Sequence, residues 1–132
     1  MKWMGLMMSV AVAGPAVAAD APKATPELLE KGKTAYTSYC LSCHGEKGEG
    51  NGPAGMYLVP KPRNFVAEAF KKGNKPEEIF KTITTGIPGS TMVPFAHIAE
   101  QERWALTHYV LELQKQGKAA DAKGKKKGAA KK

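Results

Sequence analysis

Two cysteines and a histidine stand within five consecutive positions, Cys40-Leu41-Ser42-Cys43-His44, and the chain has no other cysteine. Cys-x-x-Cys-His is the spacing at which two thiols on one helical turn add to the two vinyl groups along one edge of a porphyrin, leaving the adjacent imidazole beneath the iron. A neutral imidazole then donates one nitrogen lone pair to the metal, while the other ring nitrogen needs an acceptor to hold the ring in place. Two other chemistries compete for these residues. Thiol–disulfide exchange uses Cys-x-x-Cys where a strand meets a helix in a mixed sheet, and strand signals are nearly absent here. A zinc site would have to draw His97 or His108 into a fourth position, with spacings that match no compact zinc pattern. The motif therefore predicts one haem c, held covalently by Cys40 and Cys43 and ligated by His44.

The residue on the far side of the iron decides between electron carrier and ligand-binding protein. Beyond the first 19 residues the candidates are Met56, Met92, His97 and His108. Met92 lies in Thr84-Thr85-Gly86-Ile87-Pro88-Gly89-Ser90-Thr91-Met92-Val93-Pro94-Phe95, where two prolines and two glycines predict an irregular loop able to wrap across a flat cofactor. A thioether is a soft, neutral donor that favours ferrous iron, so a His44/Met92 pair raises the reduction potential and closes the iron to substrates. The alternative is a Met92 that only packs against the ring edge. Met56 follows His44 too closely, in a glycine-rich stretch that must turn around the proximal side. His97 and His108 read as surface or interhelical residues.

The elements that must position these groups fit one small domain, since 132 residues are too few for a multidomain enzyme. Lys2 precedes an apolar run from Trp3 to Val17 that ends in small residues, so residues 1–19 are expected to be a cleaved export signal, with the mature chain starting at Ala19 or Asp20. An uncleaved anchor is the alternative; the run contains Gly14 and Pro15 and is shorter than the ~20 apolar residues of a spanning helix. Residues 20–113 hold eleven basic and eleven acidic side chains and are neutral, whereas residues 114–132 hold eight lysines against Asp121. The formal charge of +8 thus belongs almost wholly to the tail, which argues against a nucleic-acid-binding face on the body. With almost no large apolar residue, that tail is expected to be disordered and to act either as a solubiliser or as a steering segment for an acidic partner or an anionic membrane.

Within the body, Thr25 as N-cap and Pro26 at the first helical position predict a helix to about Tyr39, with Leu28, Gly32, Ala35 and Tyr36 on one face. A short helix is expected after Asn64, and another over about Pro76 to Thr84 with Gly86 as its stop. The last runs from about Glu100 to Gln116. Leu106, Tyr109, Val110 and Leu113 form its apolar stripe, and Gly117 is read as its end.

From about Pro26 to Leu113 the chain resembles the class I monohaem cytochromes c, and in particular small bacterial members similar to the haem domain of the third subunit of cbb3-type oxidases. Beyond Cys40, Cys43, His44 and Met92, the resemblance rests on Gly32 and Tyr36, on Gly48-Glu49-Gly50-Asn51-Gly52-Pro53, and on Pro62-Arg63-Asn64-Phe65. It implies an all-α fold of about four short helices and loops around one haem. It also implies that Pro53 supplies a backbone carbonyl to the proximal histidine and that Arg63 lies near the propionates, although family members often carry Asp where this chain has Asn64. The ring at Tyr109 is implied to pack over Gly32.

The expected function is that of a periplasmic one-electron carrier, not an enzyme, serving redox partners such as a respiratory complex, an oxidase or a dehydrogenase. A haem-bearing subunit of a larger oxidoreductase is the second reading. The third, an open distal site for gas or peroxide, requires Met92 to be displaced and lacks the second haem motif or distal acid–base pair usual in such peroxidases.

Overall fold

A computed structural model describes residues 20–129; the expected export signal, residues 1–19, lies outside the described residues. Helix α1 spans Pro26–Tyr39, opened by the Thr25 side chain, which accepts from the Leu28 amide at 3.2 Å, and by Pro26 at a position that needs no amide donor. After Cys40 the chain makes a single further turn, α2, Leu41–His44. A 3-10 turn at Gly55–Tyr57, helix α3 at Pro76–Thr85 and helix α4 at Glu100–Ala129 complete the order. No strand occurs among the described residues, and the fold is the expected all-α one.

The frame is the crossing of α1 over α4. A Cβ on Gly32 would strike the Ala105 carbonyl oxygen and lie 2.8 Å from the Tyr109 Cβ, so only a missing side chain lets the two backbones meet. Tyr36 and Tyr109 then pack at 5.3 Å between ring centroids. Helix α3 lies on another side of α4, where Phe80 stacks on Trp104 at 4.0 Å and Arg103 sits over the Phe80 ring while bonding the Thr84 hydroxyl. Ile79 and Ile83 turn inward to join Ala35, Tyr36, Leu106, Val110 and Leu113 in one core.

Two expectations are corrected. The residues after Asn64 form a capped turn instead of a helix: the Asn64 Oδ1 accepts from the Val66 and Ala67 amides, each at 2.9 Å, and the Glu68 amide bonds the Asn64 carbonyl at 3.0 Å, but the chain does not continue as a helix past that turn. Helix α4 does not stop at Gly117, and the tail expected to be disordered is helical through Ala129. Gly117 has no positive φ, so it is not a terminating cap. A Cβ on it would collide with both Val66 methyl groups, which makes it a contact glycine like Gly32. The lysines and alanines beyond it are good helix formers, and Gly124 among them has no positive φ that would end the helix. At a rise of about 1.5 Å per residue, α4 is about 45 Å long.

Candidate functional site

Cys40 and Cys43 are free, partly buried thiols, Cys40 at the α1–α2 junction and Cys43 within α2. Burial, and after it the neighbouring Cys43, push the Cys40 thiol up to about 12, so it carries almost no thiolate at neutral pH. Thiol–disulfide exchange uses such a pair where a strand meets a helix, whereas here it lies between two helices and no strand occurs among the described residues. The chain that follows folds tightly over the motif. Cβ atoms on Gly52 and Gly55 would collide with the Ser42 and Cys43 carbonyl oxygens, so the backbone there lies directly against α2. Tyr36, buried in the core, donates its hydroxyl proton to the Gly45 carbonyl at 2.7 Å and ties the end of α2 to α1.

His44 closes α2. Its imidazole stacks on Phe65, 4.6 Å between centroids and 23° between planes, and its Nδ1 lies 3.4 Å from the Arg63 carbonyl oxygen. Burial lowers its pKa from the usual histidine range, with the Arg63 carbonyl opposing, so the neutral ring is favoured. With Nδ1 directed to a carbonyl, the Nε2 lone pair is the one left for a metal. Family resemblance pointed to Pro53 for this carbonyl. The hydrogen bonds of the described residues give His44 none to Pro53, which is exposed, because the segment running back past the motif is Pro62–Phe65, tied down by the Phe65 amide on the Gly48 carbonyl at 2.7 Å. The Arg63 guanidinium is engaged nearby, with Glu68 Oε2 at 2.9 Å and the Ala69 carbonyl at 2.8 Å. Sequence reasoning missed Phe65 as a site residue: an aromatic ring 21 positions from His44 carries no local signal of what it touches.

Met92 is presented by the loop after α3. Gly86 ends that helix at φ +67°, the Ile87 amide bonds the Met92 carbonyl at 3.1 Å, and the Phe95 amide returns to the Ile83 carbonyl at 3.1 Å. Met92 is half-buried and packs against the same core as Cys40 and Leu41. Of the other candidates, Met56 is exposed, His97 is exposed, and His108 is buried within α4.

Large exposed apolar side chains fall mainly on the two loops flanking these residues: Met56, Tyr57 and Val59 after the motif, Ile87 and Val93 beside Met92. A flat apolar group with vinyl carbons for two thiols and a metal for a neutral imidazole fits this set: free cysteines, an uncommitted Nε2 and uncovered apolar loops.

The comparisons agree. Residues 27–110 match the family model described as cytochrome c oxidase, cbb3-type, subunit III. The chain is also similar to a solved chain of the Kuenenia stuttgartiensis reducing HAO-like protein complex, with a TM-score of 0.60 and 38% sequence identity. That match covers 64% of this chain and 41% of the other, so the chain spans about two fifths of that neighbour's length. No curated protein matches.

Proposed function

Because the chain belongs to the cytochrome c family of cbb3-type oxidase subunit III, and so carries covalent c-type haem for electron transfer, we propose that it is a periplasmic one-electron carrier with His44 and Met92 as axial ligands. The observation that carries this reading is the environment of His44: a partly buried imidazole, its neutral form favoured, whose Nδ1 faces a backbone carbonyl.

The bound haem supplies an iron that alternates between ferric and ferrous states. Cys40 and Cys43 fix the group to the α1–α2 junction, and Phe65 holds the imidazole plane. Met92 would offer the iron a neutral sulfur, which would favour the ferrous state and leave no open position for a substrate. Its loop is pinned by backbone bonds to α3, so little has to move when charge changes. No described helix is long and apolar enough to cross a membrane, in keeping with an exported carrier. The test is optical: purified exported protein is expected to keep its haem through acid–acetone extraction and to show the weak far-red ferric band of sulfur ligation. Extractable haem, or a ferric spectrum without that band, overturns the assignment.

The cationic end of α4 supports docking to an acidic redox partner. Lys118, Lys123 and Lys125 are exposed on a helix that continues past the core, and residues 114–132 carry a net +7 on a chain whose body is neutral. Electrostatic steering of this kind raises association rates by about 10- to 1,000-fold at low salt. Deleting residues 118–132 is expected to flatten the dependence of electron-transfer rate on ionic strength. An unchanged slope removes the partner-docking role: loss of affinity for anionic vesicles in the same deletion variant then moves the docking surface to lipid, and unchanged vesicle affinity leaves the segment only a solubilising role.

The second reading, a subunit of a larger oxidoreductase, is favoured by the solved neighbour, which is itself part of a complex. Co-purification of the native protein at fixed stoichiometry with an oxidoreductase distinguishes it from the free carrier.

A further inference from the structure

The matched family region ends at residue 110, yet α4 goes on to press against the segment that touches the proximal histidine. We propose that this part of α4, through Leu113 and Gly117, acts on the 63–69 turn as a strut that sets the strength of the His44 Nδ1 contact, so that Gly117 and Val66 are positioning residues for the haem ligand. The inference rests on His44 being that ligand.

The turn is rigid by construction. Asn64 Oδ1 caps the Val66 and Ala67 amides, the Glu68 amide bonds the Asn64 carbonyl at 3.0 Å, and Arg63 is tied across the turn to Glu68 and to the Ala69 carbonyl. A body clamped in this way moves as a unit. One side bears on α4: the Val66 methyl groups occupy the space a Gly117 side chain would take, and a Cβ on Gly48 would lie 2.6 Å from Phe65 Cδ2 and 3.4 Å from Leu113 Cδ1. The other side bears on His44, through the Phe65 ring at 4.6 Å and the Arg63 carbonyl at 3.4 Å. Phe65 and Leu113, each 7% exposed, belong to one packed core between helix and ligand.

The long N···O distance is what makes this arrangement sensitive. N–H···O bonds are commonest near 2.9–3.0 Å, so at 3.4 Å the Arg63 carbonyl draws only weakly on the Nδ1 proton. Moving the turn toward His44 strengthens that bond and makes Nε2 a better donor, which favours ferric iron; moving it away does the reverse.

A Cβ at 117 pushes the turn off α4 toward His44, so Gly117→Ala is expected to lower the reduction potential. Val66→Ala opens the gap and is expected to raise it. Each shift is a severalfold change in the reduction equilibrium, where tenfold is about 59 mV for one electron. The double variant is expected to return close to wild type, because the added methyl fills the space vacated. Gly124→Ala, on the same helix with nothing within 4 Å of its Cβ, is the control and leaves the potential unchanged. Thermal midpoints that move while all four potentials stay equal overturn the proposal and leave Gly117 a packing role alone. The ligand assignment fails separately: a His44→Gly protein that keeps the native spectrum, and does not respond to added imidazole, sinks both readings.

Discussion

A Cys40→Ala/Cys43→Ala chain, exported and purified without haem, is expected to lose its cooperative thermal transition while keeping part of its helical circular dichroism. The fully buried apolar set is small. It includes two alanines, and the largest side chains below 2% exposure are Tyr36, Leu106 and Thr107. A domain of about 100 residues buries between about 60% and 70% of the surface of its unfolded chain, which leaves a modest core for short helices and long loops. A haem held by two thioethers stays on the unfolded chain, so its contribution to stability comes from the apolar area and the axial bonds that it makes only in the native state; here the loops around the motif and Met92 expose apolar side chains that it would cover. The remaining helix signal should come from α1 and α4, whose close crossing at Gly32 needs no cofactor. Against a typical total of about 5–15 kcal/mol, the loss should be most of the stability. A cooperative unfolding curve equal to that of the haem-bearing protein would contradict this account.

The second large effect is expected from Met92→Ala. Removing the thioether should abolish the far-red ferric band and open the iron to added cyanide or imidazole. It should also lower the reduction potential by a sizeable part of the roughly 0.8 V range that axial ligands control. The direction follows from the loss of a soft donor that prefers ferrous iron. The loop itself should survive, because the bonds that shape it, Ile87 amide to the carbonyl of residue 92 and Phe95 amide to the Ile83 carbonyl, are backbone ones and remain in an alanine variant. Potential titration with far-ultraviolet circular dichroism on the same sample separates ligand loss from unfolding. A variant with wild-type spectrum and potential would transfer the sixth ligand to another residue, and the exposed Met56 would be the first to replace.

The haem attachment motif was legible residue by residue because Cys40, Cys43 and His44 are contiguous, and the geometry they need is one turn of backbone. The same holds for the start of α1, where Thr25 and Pro26 act within their own turn, and for the irregular loop that carries Met92, announced by its prolines and glycines. The crossing at Gly32 was also anticipated, though from the resemblance to a family and not from spacing.

Contacts between residues far apart in the chain were decided only by tertiary structure. The carbonyl opposite His44 Nδ1 belongs to Arg63, 19 positions on, because the Gly48–Phe65 bond draws that segment back over α2. Phe65 became a stacking partner of the imidazole for the same reason. Gly117 was read as the end of a helix, since glycine near a helix terminus usually supplies a left-handed cap; it is instead the point where α4 passes Val66 at a distance that excludes any side chain. Local rules describe what a residue allows its own backbone to do, and they carry no information on which remote atom will occupy the space beside it.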